Sequence, residues 1–100
     1  MAKINFTNQA KIDLEEIWDY TYETWSEKQA DQYYNELIEK CYELNRYLEL
    51  GRDYSMILLN LKGVKVNKHI IFYRLLEEGR IIEITRIFHD KMDLKKHLSE

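Results

Sequence analysis

The chain has 100 residues, of which 33% are charged and 45% apolar, with a single cysteine and a formal net charge of −3. This composition predicts one folded domain spanning residues 1–100, and it excludes a disordered chain, an internal disulfide and a zinc site built from several cysteines. The sequence has no signal peptide and no run of 18 apolar residues, so we expect a cytoplasmic protein without membrane contact. The acidic balance argues against direct sequence-specific binding to nucleic acid by this chain alone.

The N-terminal quarter predicts a strand and then a helix. Residues 3–6 alternate apolar and polar side chains, which is typical of a half-buried strand. Thr7 or Asn8 is suited to cap the helix that follows. Apolar residues then recur at helical spacing between acidic ones, so an amphipathic helix is expected to end near Trp25.

A second helix is predicted immediately afterwards. Ser26 and Gln29 form a capping-box pattern at its start, and the short connection makes the two helices an antiparallel hairpin. Its apolar seam contains Ala30, Tyr34, Leu37, Cys41, Leu44 and Leu48. We expect Gly51 to end this helix and Cys41 to be a core thiol.

The second half of the chain predicts strands. Residues 52–55 read as a loop, and residues 56–61 as either a strand or a helical turn. Residues 64–68 alternate valine with polar side chains and lead into His69 without a strong breaker. Apolar runs at 70–76 and 81–88 then flank a turn, so they predict an antiparallel hairpin.

The turn of this hairpin sets its register. Gly79 supplies the positive φ that a tight turn needs, and a two-residue loop of Glu78 and Gly79 places Arg74 opposite Glu83. Arg74 is a candidate anion ligand, but a cross-strand ion pair with Glu83 gives it an alternative, structural use.

The fold class that follows is α+β in the order β-α-α-β-β-β, with an N-terminal strand and a helical hairpin packed on an antiparallel sheet. Both faces of the central hairpin are apolar. One face is predicted to carry Ile70, Phe72, Leu76, Ile81 and Ile87, and the other Ile71, Tyr73, Leu75, Ile82, Ile84 and Phe88. Two helices cover only one face, so the second is expected to be buried by a partner or by residues 90–98.

The order of elements and several short motifs resemble the ParE group of the RelE/ParE toxin superfamily. The motifs are Ala10 to Trp18, Gln29-Ala30 with Tyr33, Gly51-Arg52, His69 to Arg74, and Arg86 to His89 with Met92-Asp93. Two positions depart from the family pattern, since no proline precedes Gly51 and Lys62 stands where an arginine is common. Lysine does not replace arginine where two parallel hydrogen bonds are needed.

The resemblance implies a toxin of a type II toxin–antitoxin system that inhibits DNA gyrase and is neutralised by a ParD-like or similar antitoxin, without a cofactor or a metal. The candidates for binding the target or a partner are Lys62, Lys65, Lys68, Ile70, Phe72, Arg74, Arg86 and His89.

The superfamily's other activity is ribosome-dependent cleavage of mRNA, for which the alternative catalytic set is Lys62, Lys68, Arg74, Arg86 and His89. That reaction needs an acid, a base and cations around one phosphate. The set is incomplete because Ile70 and Ile71 stand where a cation is wanted, so we expect no enzymatic activity. A third hypothesis is a module that retains only its pairing with an antitoxin.

Overall fold

The computed structural model describes residues 2–48 and 50–92 of the chain. Its elements are β1 (Lys3–Phe6), α1 (Asn8–Thr24), α2 (Glu27–Glu43), β2 (Arg52–Asp53), β3 (Leu61–Val66), β4 (His69–Leu76) and β5 (Ile81–His89). One sheet contains all the strands in the order β1-β5-β4-β3-β2. The predicted α+β fold is confirmed, and β1 joins the otherwise antiparallel sheet by pairing in parallel with β5. The predicted cover from residues 93–98 lies outside the described residues.

The two helices begin where the sequence places them. The Thr7 side chain accepts a hydrogen bond from the backbone N–H of Ala10, and the Ser26 hydroxyl accepts one from Gln29 at 3.1 Å. Each bond satisfies one of the backbone donors that a helix start leaves without a partner. The Trp18 indole N–H also donates to the Asp31 carboxylate at 2.9 Å, which ties the two helices together.

The predicted end of α2 is wrong, because the helix stops at Glu43 and not at Gly51. The hydroxyl of Tyr73 on β4 explains the early end. It donates to the carbonyl of Leu48 at 3.2 Å and accepts from the N–H of Gly51 at 2.8 Å. The chain therefore leaves the helix axis to reach the sheet, and Gly51 permits that close approach.

The segment between α2 and β4 differs from the prediction in two places and decides between two alternatives in a third. Residues 52 and 53, predicted as loop, form the short edge strand β2. The N–H groups of Ile57 and Leu58 bond to the carbonyl of Tyr54, so the helical-turn alternative for this segment is the one observed. Asn67, with φ of 53°, begins a turn between β3 and β4. The sequence analysis did not predict this turn, because it found no strong breaker there. Asparagine tolerates this left-handed conformation better than most residues, so it was the available signal.

The register of the β4–β5 hairpin is confirmed. Arg74 pairs with Glu83, and Leu75 with Ile82. The loop is longer than the predicted two residues, because the strands end at Leu76 and Ile81. Within it Glu77, Glu78 and Gly79 all have positive φ, and the N–H groups of Gly79 and Arg80 bond to the carbonyls of Leu76 and Glu77 at 3.1 and 3.2 Å.

A β-bulge in β5 overturns part of the predicted face assignment. Phe72 pairs with Arg86 but Tyr73 pairs with Ile84, so Thr85 is an extra residue. Side chains beyond Thr85 therefore point to the face opposite to the one that simple alternation predicts. Ile87 joins the helix-side core and Phe88 joins the core on the other face, the reverse of the prediction.

The second face is covered largely by the segment before β3. Tyr54, Ile57 and Leu58 pack against the cluster of Leu61, Ile70, Phe72 and Phe88, and Met92 joins them. The Tyr54 ring meets the Phe72 ring edge-on at 5.1 Å between centroids. A partner is therefore not required to bury this face.

Replacement of Gly51 by alanine tests the contact with Tyr73. An added Cβ would lie 2.6 Å from the Tyr73 hydroxyl oxygen and 2.8 Å from its ring. We expect Gly51→Ala to lower the free energy of unfolding by about 2 kcal/mol, because the ring is held in the core and has no room to retreat. Urea unfolding followed by tryptophan fluorescence measures it.

The control is Gly79→Asn, where the nearest atom to an added Cβ is 3.5 Å away. Asparagine accepts the positive φ, so a loss of only about 0.5 kcal/mol is expected. Equal losses in the two variants would contradict the assignment.

Candidate functional site

An open groove of about 440 Å³ lies between α1 and the C-terminal end of β5. Ile17, Phe88 and Met92 give it a largely apolar lining. His69 and His89, which pair across β4 and β5, also line it. An apolar concavity with a few convergent polar groups is the usual form of a binding site.

A buried carboxylate builds one wall of this groove. Asp13 of α1 is 7% exposed and accepts hydrogen bonds from Arg86 Nε at 2.9 Å and Nη2 at 3.0 Å. The same carboxylate accepts the backbone N–H of Ile87 at 3.0 Å. The Arg86 guanidinium also lies 4.3 Å from the centre of the Phe88 ring. Arg86, predicted as a ligand for a partner, is thus held in a two-pronged ion pair inside the fold.

The position of this carboxylate follows from the length of β1. The pairing of β1 with β5 ends at Phe6 and Ile84. Beyond that point the Thr7 hydroxyl donates to the Thr85 carbonyl at 2.8 Å, and the Asp13 carboxylate accepts the backbone N–H of Ile87. Side chains from the start of α1 therefore satisfy edge groups that a longer strand would have paired.

His69 connects the groove to α2. Its Nδ1 lies 2.6 Å from the Tyr33 hydroxyl, and the single proton of that hydroxyl is directed to the Val66 carbonyl at 3.2 Å. Burial, reinforced by the neighbouring His89, lowers the pKa of His69 to about 4. Burial likewise raises the pKa of Tyr33. Both side chains are therefore uncharged at neutral pH.

His89 lies at the mouth of the groove and packs edge-on against His69, with 5.3 Å between ring centres. Its Nδ1 accepts the N–H of Lys91 at 3.2 Å and lies 3.3 Å from the carboxylate of Asp90. Asp90 also pairs with Lys65 at 3.3 Å. The contacts at Nδ1 and the ring packing hold the His89 side chain in one orientation beside the groove.

The remaining predicted residues do not converge on one site. Arg74 donates through Nε and Nη2 to Glu83, at 3.1 and 2.8 Å, as its structural interpretation requires. Lys62 lies on β3 opposite Tyr73, and Lys68 is exposed in the turn that leads into β4. Ile70 is 9% exposed and Phe72 is fully buried, so neither is accessible to a partner in this conformation. Among residues 2–48 and 50–92, no three His, Cys, Asp or Glu side chains are grouped closely enough to hold a metal ion.

The sequence analysis did not list Asp13 or Tyr33 as site residues, although the position of Asp13 indicated a buried partner. Asp13 stands between Ala10, Leu14 and Ile17 on the inward stripe of α1, and a carboxylate in that stripe implies a buried partner. Tyr33 left no such signal. It lies beside the seam of α2, and its contact with His69 depends on how the helices sit on the sheet.

Comparisons with known proteins agree on one family. The protein-family model described as "ParE toxin of type II toxin-antitoxin system, parDE" matches residues 4–94 of this chain. The chain is 35% identical to the toxin ParE1 of Mycobacterium tuberculosis over 89 residues, which are 89% of this chain and 90% of the relative. It is 28% identical to the toxin ParE1 of Caulobacter vibrioides over 98 residues, 98% of this chain and 99% of the relative. A solved chain of the chromosomal ParDE system from P. aeruginosa shares the fold, with a TM-score of 0.75 and 19% identity over 89% of this chain and 96% of that chain.

Removal of the Asp13 charge tests the tie between α1 and β5. Asp13→Asn takes one charge from a buried pair and leaves Arg86 without its counter-ion, so we expect a loss of about 3 kcal/mol in the free energy of unfolding. Asp19→Asn, at an exposed position of the same helix, is expected to change it by less than about 0.5 kcal/mol. Chemical denaturation of both variants measures the difference. Similar stabilities would show that the buried pair contributes little.

The low pKa of His69 predicts a dependence of stability on pH. Because the folded-state pKa of about 4 lies below the ordinary histidine pKa of 6.5, the unfolded chain binds more protons between these values, and stability falls as the pH drops from 6.5 towards 4. The ring keeps part of its hydration, so we expect His69 to account for about 1 to 2 kcal/mol of the loss. His69→Gln should flatten the curve of unfolding free energy against pH in this window. Parallel curves for the variant and the original chain would contradict this.

Proposed function

Because the chain belongs to the ParE toxin family of type II toxin–antitoxin systems, we propose that it inhibits DNA gyrase by trapping the cleaved DNA complex, and that a cognate antitoxin neutralises it. It acts by binding and not by catalysis. The observation that carries this proposal is the pairing of the arginines of β4 and β5. Arg74 is bound to Glu83 and Arg86 to Asp13, so each positive charge is already matched.

The same observation weighs against mRNA cleavage. Arg74 and His69 are five residues apart on β4, which corresponds to about 17 Å along an extended strand. His89 pairs with His69 and is equally remote from Arg74. A phosphate that contacted His89 would therefore be out of reach of Arg74, and Arg86, which lines the same groove as His89, has its charge matched by Asp13. The alternative catalytic set thus lacks a common centre.

The proposed surface for the gyrase complex is the basic strip of chain from Lys62 to Lys68. Lys62 and Lys65 lie on opposite faces of β3, because they are three residues apart, and Lys68 follows in the turn; no acidic residue stands between positions 62 and 74. Lys68 is exposed, and 65% of the Lys65 side chain is exposed although it contacts Asp90. A local basic strip on an acidic chain fits a target that holds DNA. His89 lies at the end of this strip.

The proposal places the protein in the cytoplasm, where gyrase acts, with an antitoxin as its second partner. Across the described residues, no helix is both long and apolar enough to span a membrane. The solved relative belongs to a ParDE toxin–antitoxin system, which supports an antitoxin of the same kind.

The test is a supercoiling assay with purified gyrase. We expect the chain to stop supercoiling and to cause linear DNA to accumulate. Lys68→Glu should weaken inhibition by about tenfold, because it reverses a charge in the basic strip. Lys28→Glu, at an exposed position on α2, changes net charge equally and should keep full potency.

Unaffected supercoiling at micromolar toxin would overturn the proposal. New mRNA ends found by primer extension in a translation reaction would favour the RelE-type alternative. Normal growth after induction without antitoxin would instead support a module that has kept only its pairing role.

A further inference from the structure

We propose that His69 and His89 form a two-histidine site for Zn²⁺ or a similar divalent transition-metal ion. The two residues are partners across β4 and β5, and both line the groove between α1 and β5. The site stands apart from the proposed function, because it depends only on the spacing of the two rings and on the groups that hold them.

The strand register brings the two side chains together. The backbone N–H of Asp90 bonds to the carbonyl of Lys68 at 2.7 Å, on one side of the pair. His69 and His89 are therefore a cross-strand pair of the non-hydrogen-bonded kind, whose side chains approach most closely. Their ring centres are 5.3 Å apart and the ring planes cross at 74°. Two imidazoles that share a tetrahedral Zn²⁺ through bonds of about 2.0 Å have ring centres roughly 5 Å apart, so the pair already has a suitable spacing.

The hydrogen bond of His69 leaves it in the form that binds a metal ion. Its Nδ1 lies 2.6 Å from the Tyr33 hydroxyl, whose own proton is directed to the Val66 carbonyl. The proton between Nδ1 and the hydroxyl is therefore that of the ring, and Nε2 keeps the lone pair that coordination requires. A fixed acceptor for the N–H of the other ring nitrogen is the usual support of a metal-binding histidine.

His89 has a carboxylate in the corresponding position. Its Nδ1 lies 3.3 Å from Oδ1 of Asp90 and accepts the N–H of Lys91 at 3.2 Å. The bond from Lys91 places the ring proton on Nε2 when no metal ion is bound. Coordination at Nε2 moves this proton to Nδ1, where the Asp90 carboxylate accepts its hydrogen bond in place of the contact with Lys91. The ring stays neutral, so no proton is released.

The chemistry of the pair selects the class of ion. Imidazole nitrogen suits Zn²⁺, Cu²⁺ and Ni²⁺, whereas Mg²⁺ and Ca²⁺ take oxygen ligands. Among the neighbouring cations, Arg86 and Lys65 are each paired with a carboxylate of the chain, and Lys68 and Lys91 are exposed, where solvent and salt screen them. In the described part of the chain no cluster of three His, Cys, Asp or Glu side chains is formed. Water therefore fills the remaining positions on the ion, and the expected affinity is moderate.

The experiment titrates the full chain with ZnCl₂ and, separately, with MgCl₂. Calorimetry measures the affinity, and nuclear magnetic resonance of the ring nitrogens identifies the coordinating atoms. One imidazole holds Zn²⁺ at roughly millimolar concentration, and a second fixed beside it raises the affinity about a hundredfold, so we expect a Kd on the order of ten micromolar. The Nε2 signals of both rings should shift together with Zn²⁺ and stay unchanged with Mg²⁺.

Variants locate the site. His89→Gln and His69→Gln should each weaken Zn²⁺ binding by about thirtyfold or more, and Asp90→Asn by about tenfold, because the His89 ring loses the acceptor that orients it. His97→Gln is the matched control, since His97 is the third histidine of the chain and lies outside the described residues. It should bind Zn²⁺ as tightly as the original chain.

Unfolding midpoints measured without metal establish that the variants are folded, and the nitrogen shifts of the original chain decide the question if one of them is not. Zn²⁺ binding that survives His89→Gln, that is lost in His97→Gln, or that shifts one ring alone would be adventitious surface binding and would overturn the proposal. Absence of saturable binding below millimolar Zn²⁺ would do the same.

Discussion

The carboxylate of Asp13 is the constraint on which the arrangement of helices and sheet depends. It joins the first helix to the last strand through three hydrogen bonds, two from Arg86 and one from the backbone of Ile87. A buried carboxylate is costly to desolvate, so it is tolerated only where donors surround it. Because those donors come from one short stretch of β5, the ion pair fixes both the position of α1 along the strand and the wall of the groove beside it.

Whether the arginines of the sheet are paired with carboxylates bears on which activity the fold supports, phosphate catalysis or binding. A catalytic site for phosphate chemistry requires positive groups that are aimed at the substrate and held without a competing anion. In this chain the arginines of β4 and β5 are matched by carboxylates from the chain itself, which makes them part of the scaffold. Lys65 and Lys68 lie at the surface, where the proposed binding to gyrase uses them. The arrangement of the described cations therefore favours the proposed recognition over phosphate chemistry.

The sequence predicted the elements that depend on local signals and failed where distant contacts decide. Ser26 and Thr7 started their helices as expected, because a cap is a contact over three residues. The end of α2 was placed too late because Tyr73, some thirty residues further on, draws the chain away. The hairpin register was recoverable from Gly79, since turn chemistry sets it. Among the site residues, the ion pair of Arg74 with Glu83 could be predicted from that register. The ion pair of Arg86 with Asp13 could not, because it depends on α1 packing beside the end of β5.

The bulge at Thr85 gives the last strand two frames of side-chain alternation, one before it and one after. Residues up to Ile84 are in the frame set by the hairpin turn, and residues from Arg86 onwards are in the opposite one. Loss of Thr85 itself would make Ile84 and Arg86 consecutive, so a regular ladder would keep Arg86, Ile87 and Phe88 on their present faces. Loss of a residue elsewhere in β5 would instead move part of the strand to the opposite face, so the strand is expected to tolerate a one-residue deletion best at the bulge. Relatives should be aligned through this position by frame before their side chains are compared.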